Sequence, residues 1–250
     1  MSFKINIKSK SFTNKHDKVK VEVLKNVNLE IKSKEFVCIV GPSGCGKTTL
    51  MNIIGGLIPY NDNEEIKTIN NSIKEDSFGY VFQTSRLLPW LTVKENIELV
   101  CNSNKNLDTD INHLLSEFDL LEFSNYYPKA ISGGMRRRVS LVRALINNPE
   151  VLLMDEPFVS LDQPTAENLY KVLIEYWKKK PIMVIFITHN LKEALLLSDR
   201  ILFFSKRPAT IVYDYKVKSK RGNLKMDNKD IQKEYESLNK KFPSILKGLV

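Results

Sequence analysis

Long apolar runs are missing from this chain of 250 residues. The longest, Ile182–Ile187, falls far short of the roughly 20 residues that cross a bilayer, so no membrane span is expected. Cysteine is scarce. Cys38, Cys45 and Cys101 are odd in number and match no zinc or redox spacing, which excludes a disulfide scaffold and points to a reducing, cytosolic compartment. His16, His113 and His189 are too scattered to suggest a metal cluster. The opening Met1-Ser2-Phe3-Lys4-Ile5-Asn6 is polar throughout, unlike a secretory signal, and no internal repeat is evident. Acidic charge is also short: 29 Asp and Glu face 38 Lys and Arg, a net charge of +9. Such a surplus first suggests nucleic acid or a membrane surface. Its distribution argues otherwise. Residues 1–36 carry a net +5 and residues 205–250 a net +7, whereas 37–204 carry −3. The ends suit either an anionic leaflet or plain solvation; the middle does not suit nucleic acid. With 42% hydrophobic residues the composition is globular, and the length fits one large domain or a domain with a subdomain.

What is present begins with Phe36-Val37-Cys38-Ile39-Val40, an apolar run that reads as a buried parallel strand. Gly41-Pro42-Ser43-Gly44-Cys45-Gly46-Lys47-Thr48 follows, then a helical pattern from Thr49. This is G-x-x-x-x-G-K-[ST] between the strand and helix that it requires. The glycines let successive backbone N–H groups curl toward phosphate oxygens, and the helix adds its positive end. Lys47 offers a charge to the β- and γ-phosphates, and the Thr48 hydroxyl suits Mg²⁺.

Val151–Met154 reads as a second buried strand, ending in Asp155-Glu156-Pro157. Asp155 is placed to serve Mg²⁺, and Glu156 to polarise a water that attacks the γ-phosphate. Phe78–Phe82 is a further strand with Gln83 at its end, an amide for Mg²⁺ or the lytic water. Pro181–Ile187 is another, ending in Thr188-His189. A histidine there either contacts the γ-phosphate or holds Glu156.

Ile131-Ser132-Gly133-Gly134-Met135-Arg136-Arg137-Arg138-Val139 lies between Gln83 and Asp155, ahead of a helical face of Val139, Val142, Leu145 and Ile146. It resembles the LSGGQ signature of ABC-transporter ATPases. The order of the phosphate loop, Gln83, the signature, Asp155-Glu156, Ser160-Leu161-Asp162 and His189 is that family's order, over about residues 10–205. The resemblance implies an α/β fold: a P-loop NTPase with an ABC-type ATPase core, an N-terminal antiparallel β-subdomain and an inserted α-helical subdomain. Residues 1–83 and 146–205 would be the core and about 84–145 the helical subdomain, with helical patterns at Val93–Cys101 and Asp108–Phe118. Residues 206–250 would be a short basic tail. Two copies would face head to tail with two ATP molecules between them. Each ATP would touch residues 41–49 of one copy, through Thr49, and Ser132, Gly133 and Gly134 of the other. Glu156 would be the catalytic base and His189 the switch histidine. Asp162 would belong to the loop that links the two sites, and Phe12 would stack on adenine.

Three features depart from the pattern. Met135 replaces the usual glutamine and its ribose hydrogen bond. Ser33-Lys34-Glu35 stands where Gly-Glu is commoner. Arg136, Arg137 and Arg138 put three cations in a helix's first turn, against the macrodipole. A neighbouring triphosphate would offset that cost, and on this reading neutralising Arg136 or Arg137 weakens ATP-driven dimerisation.

Thr84-Ser85-Arg86-Leu87-Leu88-Pro89-Trp90-Leu91-Thr92-Val93-Lys94-Glu95-Asn96-Ile97 is similar to the VFQ…LLPWLTV…N stretch of nitrate, sulfonate, taurine and related (bicarbonate) importer ATPases, and Leu202–Pro208 also resembles that branch. Met135 is familiar there. Leu87, Leu88 and Trp90 either receive a helix of a membrane permease or pack the subdomain core. The resemblance implies an ATPase at the cytoplasmic face of the membrane, working with a second copy of itself, a separate permease and, indirectly, a solute-binding protein, with ATP and Mg²⁺ and without nucleic acid. The alternatives are an exporter or lipoprotein-release ATPase, a soluble nucleic-acid-associated ABC ATPase, and a P-loop kinase, against which the signature and Glu156 argue. The transported solute is not written in this chain.

Overall fold

The structure is a computed structural model and describes residues 2–13, 19–58, 66–69, 77–101, 107–219, 221–244 and 248; His16 lies outside them. In chain order its elements are β1 (Ser2–Thr13), β2 (Lys20–Lys32), β3 (Phe36–Val40), α1 (Lys47–Ile54), β4 (Ile66–Ile69) and β5 (Phe78–Val81). Then come α2 (Val93–Glu98), α3 (Leu107–Glu117), α4 (Gly133–Leu145), β6 (Val151–Asp155) and α5 (Gln163–Lys179). β7 (Met183–Ile187), α6 (Leu191–Leu197), β8 (Arg200–Phe204), β9 (Ile211–Lys216) and α7 (Lys229–Lys241) complete the described chain. These elements form two compact units, Met1–Glu75 with Met183–Val250, and Asp76–Ile182.

The first unit holds two sheets. In β1, Phe3, Ile5 and Ile7 are buried and alternate with polar residues, the period of a half-buried strand. β1 pairs antiparallel with β2 and with β4, in the order β2-β1-β4. A turn at 33–34 leads from β2 into β3, and Lys34 sits there at φ +63°. A side chain is disfavoured at such a φ, which is the physical reason that glycine is commoner at this turn. β3 is buried at every position because parallel strands flank it on both sides: Phe36 pairs with Val184 of β7 and Val37 with Arg200 of β8. Each such apolar side chain removed from water contributes roughly 1.5–3 kcal/mol.

Residues 206–250, expected as a short basic tail, include two ordered elements. β9 pairs antiparallel with β8, from Arg200↔Lys216 to Phe204↔Ile211. α7 packs on α6, with Ile231 and Leu238 buried. Glu234 anchors it, accepting bonds from the Tyr215 hydroxyl (2.6 Å), Lys218 N (2.8 Å), Ser219 N (2.9 Å) and Ser219 Oγ (2.5 Å). Lys229, Lys233, Lys240 and Lys241 are exposed on the outer side of this packed helix, so the charge count alone concealed the structure.

In the second unit β5 and β6 run parallel, Phe78 opposite Val151. α4 lies close on β5: a Cβ at Gly79 would stand 2.2 Å from the Ala144 carbonyl oxygen, so only glycine fits. The expected α4 face of Val139, Val142, Leu145 and Ile146 is buried. α2 starts at a capping box between Thr92 and Glu95 and is shorter than the apolar pattern to Cys101, because Leu99 and Val100 turn outward, exposed. α5 buries Ala166, Leu169, Tyr170 and Leu173 at helical spacing, and Trp177 Nε1 donates to the Ile182 carbonyl at 2.8 Å.

Candidate functional site

The loop after β3 is shaped by what surrounds it. A Cβ at Gly41 would stand 2.9 Å from Phe204 Cβ. Gly46 has φ +131°, and a Cβ there would meet Val23 Cγ1 at 2.9 Å. β8 and β2 therefore press the backbone into its curl. Lys47, 6% exposed, sends its Nζ back to the carbonyls of Gly41 and Pro42, each at 2.8 Å. Two of the three ammonium donors are thus spent on the loop itself. α1 begins with no side-chain cap and no acid in its first turn. Arg207 Nη2 donates to the Gly44 carbonyl, a contact that the sequence did not announce. Cys45 is buried within the loop, and burial pushes its thiol pKa up; it is a packing residue.

Two further residues of this unit stand on, or just past, strands that neighbour those bordering the loop. Thr188 N donates to the Ile39 carbonyl at 3.3 Å, so β7 ends beside β3 and His189 leaves the sheet at the same end as Gly41. The buried Thr188 Oγ1 donates to Glu193 Oε2 at 2.5 Å and accepts from Asn190 N at 3.0 Å. Asn190 Oδ1 in turn accepts from Lys192 N and Glu193 N. His189 is exposed within this pinned frame. Phe12 pairs with Val21, two residues from the Val23 that presses on Gly46, and its ring is 41% exposed. Lys10 Nζ lies 5.5 Å from that ring's centroid.

The second unit carries the acids and the signature. Asp155 ends β6, 6% exposed, and its charge, after burial itself, raises the pKa of Tyr80. Glu156 stands at φ +46° and Ser160 at +66°, two non-glycine residues in the left-handed region within five positions. Such backbone is held only where surroundings impose it. Gln83 Nε2 donates to Glu156 Oε2 at 3.4 Å, so these two are brought together. Asp162 caps α5, accepting from Thr165 N at 3.2 Å. Ser132 caps α4 in the same way, through Met135 N. A Cβ at Gly134 would stand 2.4 Å from Thr165 Cγ2, which links the start of α4 to that of α5. Gly133 is different: among the described residues a Cβ there would meet only Arg136 Nη2, at 3.9 Å, so no packing with them calls for glycine at this exposed position.

The three arginines do not sit as expected. Arg136 Nη1 donates to the carbonyls of Pro128 and Ile131, at 3.1 and 2.6 Å. Arg137 is buried on the carbonyls of Phe82 and Gln83. Arg138 bonds the Phe118 carbonyl and Asp119 Oδ2, each at 3.1 Å. Carbonyl and carboxylate oxygens within the unit compensate these charges, so no triphosphate is needed to explain them.

Comparison with known proteins matches a family described as ABC transporter to residues 24–159. The chain belongs to this family. An aliphatic sulfonates import ATP-binding protein of Bacillus cereus is 42% identical over 215 residues, 84% of either chain. A nitrate import ATP-binding protein of Synechocystis is 40% identical over 201 residues, 76% of this chain and 74% of its own. A taurine import ATP-binding protein of Roseobacter denitrificans is 35% identical over 221 residues, 86% and 82%. Among solved structures, the cassette MJ0796, dimeric in a post-hydrolysis state with ADP and Pi, is 31% identical with a TM-score of 0.71, covering 87% of this chain and all of its own. Another dimeric structure of the same cassette gives 0.72. The fold is thus that of ABC ATPase cassettes, as the motif order implied.

Within the ABC frame, Glu193 and the partner of Arg207 were not expected, and Arg137 was expected beside a triphosphate rather than on the carbonyls that it meets. Glu193 had a signal, an acid in the first turn after a strand-ending Thr-His-Asn. Arg207 stood in the Leu202–Pro208 stretch, but nothing there pointed to its partner Gly44, 163 residues away.

Proposed function

We propose that this chain is the ATP-hydrolysing subunit that drives import of a small solute through a separate membrane permease. The observation that supports it most is the curled loop at 41–46 with Lys47 drawn over its carbonyls, in a chain 42% identical to an importer's ATP-binding protein. On this reading the loop N–H groups and Lys47 hold the β- and γ-phosphates, Thr49 adds to the loop's grip, and Phe12 stacks on adenine. Glu156 takes a proton from the attacking water, and Gln83, bonded to it, keeps that carboxylate aimed. His189, in its rigid frame, contacts the γ-phosphate. Ser132 and Gly133 are open to solvent, and the missing packing reason for Gly133 suits close approach by the ATP of a second copy. Asp162, as cap of α5, ties that contact to the rest of its unit.

The donors assigned to Mg²⁺ are all oxygens: the Thr48 hydroxyl, the Asp155 carboxylate and the amide oxygen of Gln83, whose nitrogen is already on Glu156. That set fits a hard divalent cation. When bound, Mg²⁺ neutralises charge on the phosphate oxygens. Among the described residues, no helix is long and apolar enough to cross a membrane. Trp90, 69% exposed, is not used in the core, and a cavity of about 250 Å³ lies nearby in sequence, lined by Tyr80, Phe82, Val100, Arg143 and Asn147. We assign this surface, with residues 84–97, to a permease helix, which keeps the chain at the cytoplasmic face. Residues 84–145 act as the helical subdomain, 1–83 and 146–205 as the core.

The deciding experiment purifies the chain with its permease and solute-binding protein and measures ATPase activity in liposomes. Stimulation by a sulfonate, nitrate or taurine is the expected result. ATP turnover that no solute alters, but RNA or DNA raises, would overturn the reading.

A further inference from the structure

One side of α4 faces the backbone that follows β5. Arg137 Nη1 donates to the Phe82 carbonyl at 2.6 Å, and Nη2 to the Gln83 carbonyl at 2.5 Å. Three residues on, Ser140 Oγ donates to the Ser85 carbonyl at 3.1 Å. Three further on, Arg143 donates to the carbonyls of Ser85 and Arg86, at 2.9 and 2.8 Å. Positions 137, 140 and 143 share one helix face, so a single stripe of donors grips four carbonyls of the segment 82–86. The segment also closes on itself, with the Arg86 guanidinium 3.7 Å from the centre of the Phe82 ring.

Arg137 is the unusual member. It is 6% exposed, and a guanidinium cannot shed its charge to escape burial. Its planar fork sets a separate nitrogen on each of two successive carbonyls in a fixed geometry, whereas the donors of a lysine ammonium share one nitrogen on a flexible stem. Those carbonyls flank and include the residue whose exposed side chain reaches Glu156. Fixing the backbone on both sides of the Cα removes the main freedom by which the Gln83 amide would swing away.

We propose that Arg137 is the positioning residue for Gln83: it ties the backbone of that amide to the first turns of the signature helix, so that Ser132–Gly134 and Gln83 move as one piece. The proposal rests on the reading of Gln83 as a Mg²⁺ ligand and partner of Glu156. Through this tie, contact of the signature with one nucleotide is transmitted to the amide that serves the other.

The test uses the full chain with Arg137→Gln, Arg137→Lys, Gln83→Ala and the double variant Gln83→Ala/Arg137→Gln, each checked for folding by thermal melting. Two quantities are read: affinity for a non-hydrolysable fluorescent ATP analogue in Mg²⁺ and in EDTA, and kcat and KM for ATP. Arg137→Gln should lower kcat by about tenfold to a hundredfold, the scale of a misplaced catalytic group. It should also cut the Mg²⁺-dependent gain in nucleotide affinity while leaving affinity in EDTA unchanged. Arg137→Lys, which keeps the charge and one bond, should fall between, and it carries the comparison if Arg137→Gln does not fold. Gln83→Ala should show the same Mg²⁺ loss, and the double variant should be no worse than Gln83→Ala. If Gln83→Ala loses the Mg²⁺ gain and the folded Arg137 variants keep it, or if the two losses add, the tie is wrong. If Gln83→Ala keeps the Mg²⁺ gain, the reading of Gln83 itself fails, and the tie with it.

Discussion

Thr188 Oγ1 donates to Glu193 Oε2 at 2.5 Å, and both residues are buried, whereas His189, next to Thr188 in the chain, is exposed. This bond spans only five residues, yet it holds the end of β7 to the first turn of α6. A carboxylate accepting a hydroxyl in a dry site is stronger than its counterpart in water. Glu193→Ala should therefore destabilise the protein by about 1–3 kcal/mol, the cost of a stranded buried donor. Glu193→Gln, which keeps an acceptor oxygen, should recover much of that loss. Thermal melting compares the two, and ATPase activity should fall in the same order because His189 loses its frame.

Glu156→Gln keeps the shape and the bond partner of Gln83 but removes the base. Hydrolysis should drop by about 10²- to 10⁴-fold, with ATP binding retained. Gel filtration with ATP should show a persistent dimer. Near-normal turnover would remove Glu156 from the chemistry.

Lys47→Ala removes both a phosphate partner and the two bonds to the Gly41 and Pro42 carbonyls. ATP affinity should fall by about tenfold to a hundredfold, since a charge-assisted contact of this kind is worth roughly 1.5–3 kcal/mol, and further if the loop itself loosens. Calorimetric titration with ATP tests this. Affinity at the wild-type level would show that Lys47 does not meet the phosphates.

Acid should release α7. Burial alone would raise the Glu234 carboxyl, but bonds from Ser219, Tyr215 and Lys218 outweigh it, and the pKa lies below the ordinary value of 4.5. A depressed folded pKa means that the anchoring is fully present above that ordinary value and is lost as pH falls through the lower one. Amide exchange in α7 should rise over that acid window. In Glu234→Gln the rise should vanish and exchange should be faster at neutral pH.

Trp90→Ala should leave thermal stability unchanged, because the ring is 69% exposed. Recovery of the permease with the tagged chain should drop, by an affinity loss of about 2 kcal/mol or more if the ring is an anchor. Undiminished recovery would move the docking surface elsewhere.

Much of this was legible in order along the chain. Phe36–Val40 is a strand with the expected bounds, because five buried apolar residues between parallel neighbours leave one solution. Val151–Met154 runs one residue further, through Asp155, and Phe78–Phe82 stops one short, since Phe82 has left the ladder to meet Arg137 and Arg86. Ser132 and Asp162 stand ahead of helical patterns, the residue types of helix caps, and they cap α4 and α5.

What the sequence by itself determined is the local chemistry: the loop at 41–48, the strand-ending Asp155-Glu156 and Thr188-His189, and the signature, each set by residues within one turn or strand of each other. Only the tertiary structure decided where the cations went. Arg137 lies 54 residues from Gln83 and Arg207 163 from Gly44, and both meet backbone carbonyls. Every residue has a carbonyl, so such a partner leaves no mark in residue type; it is chosen by how strands and helices pack. The Lys-rich end, which composition left open between an anionic leaflet and solvation, is likewise decided by packing, where Glu234 holds α7 in place.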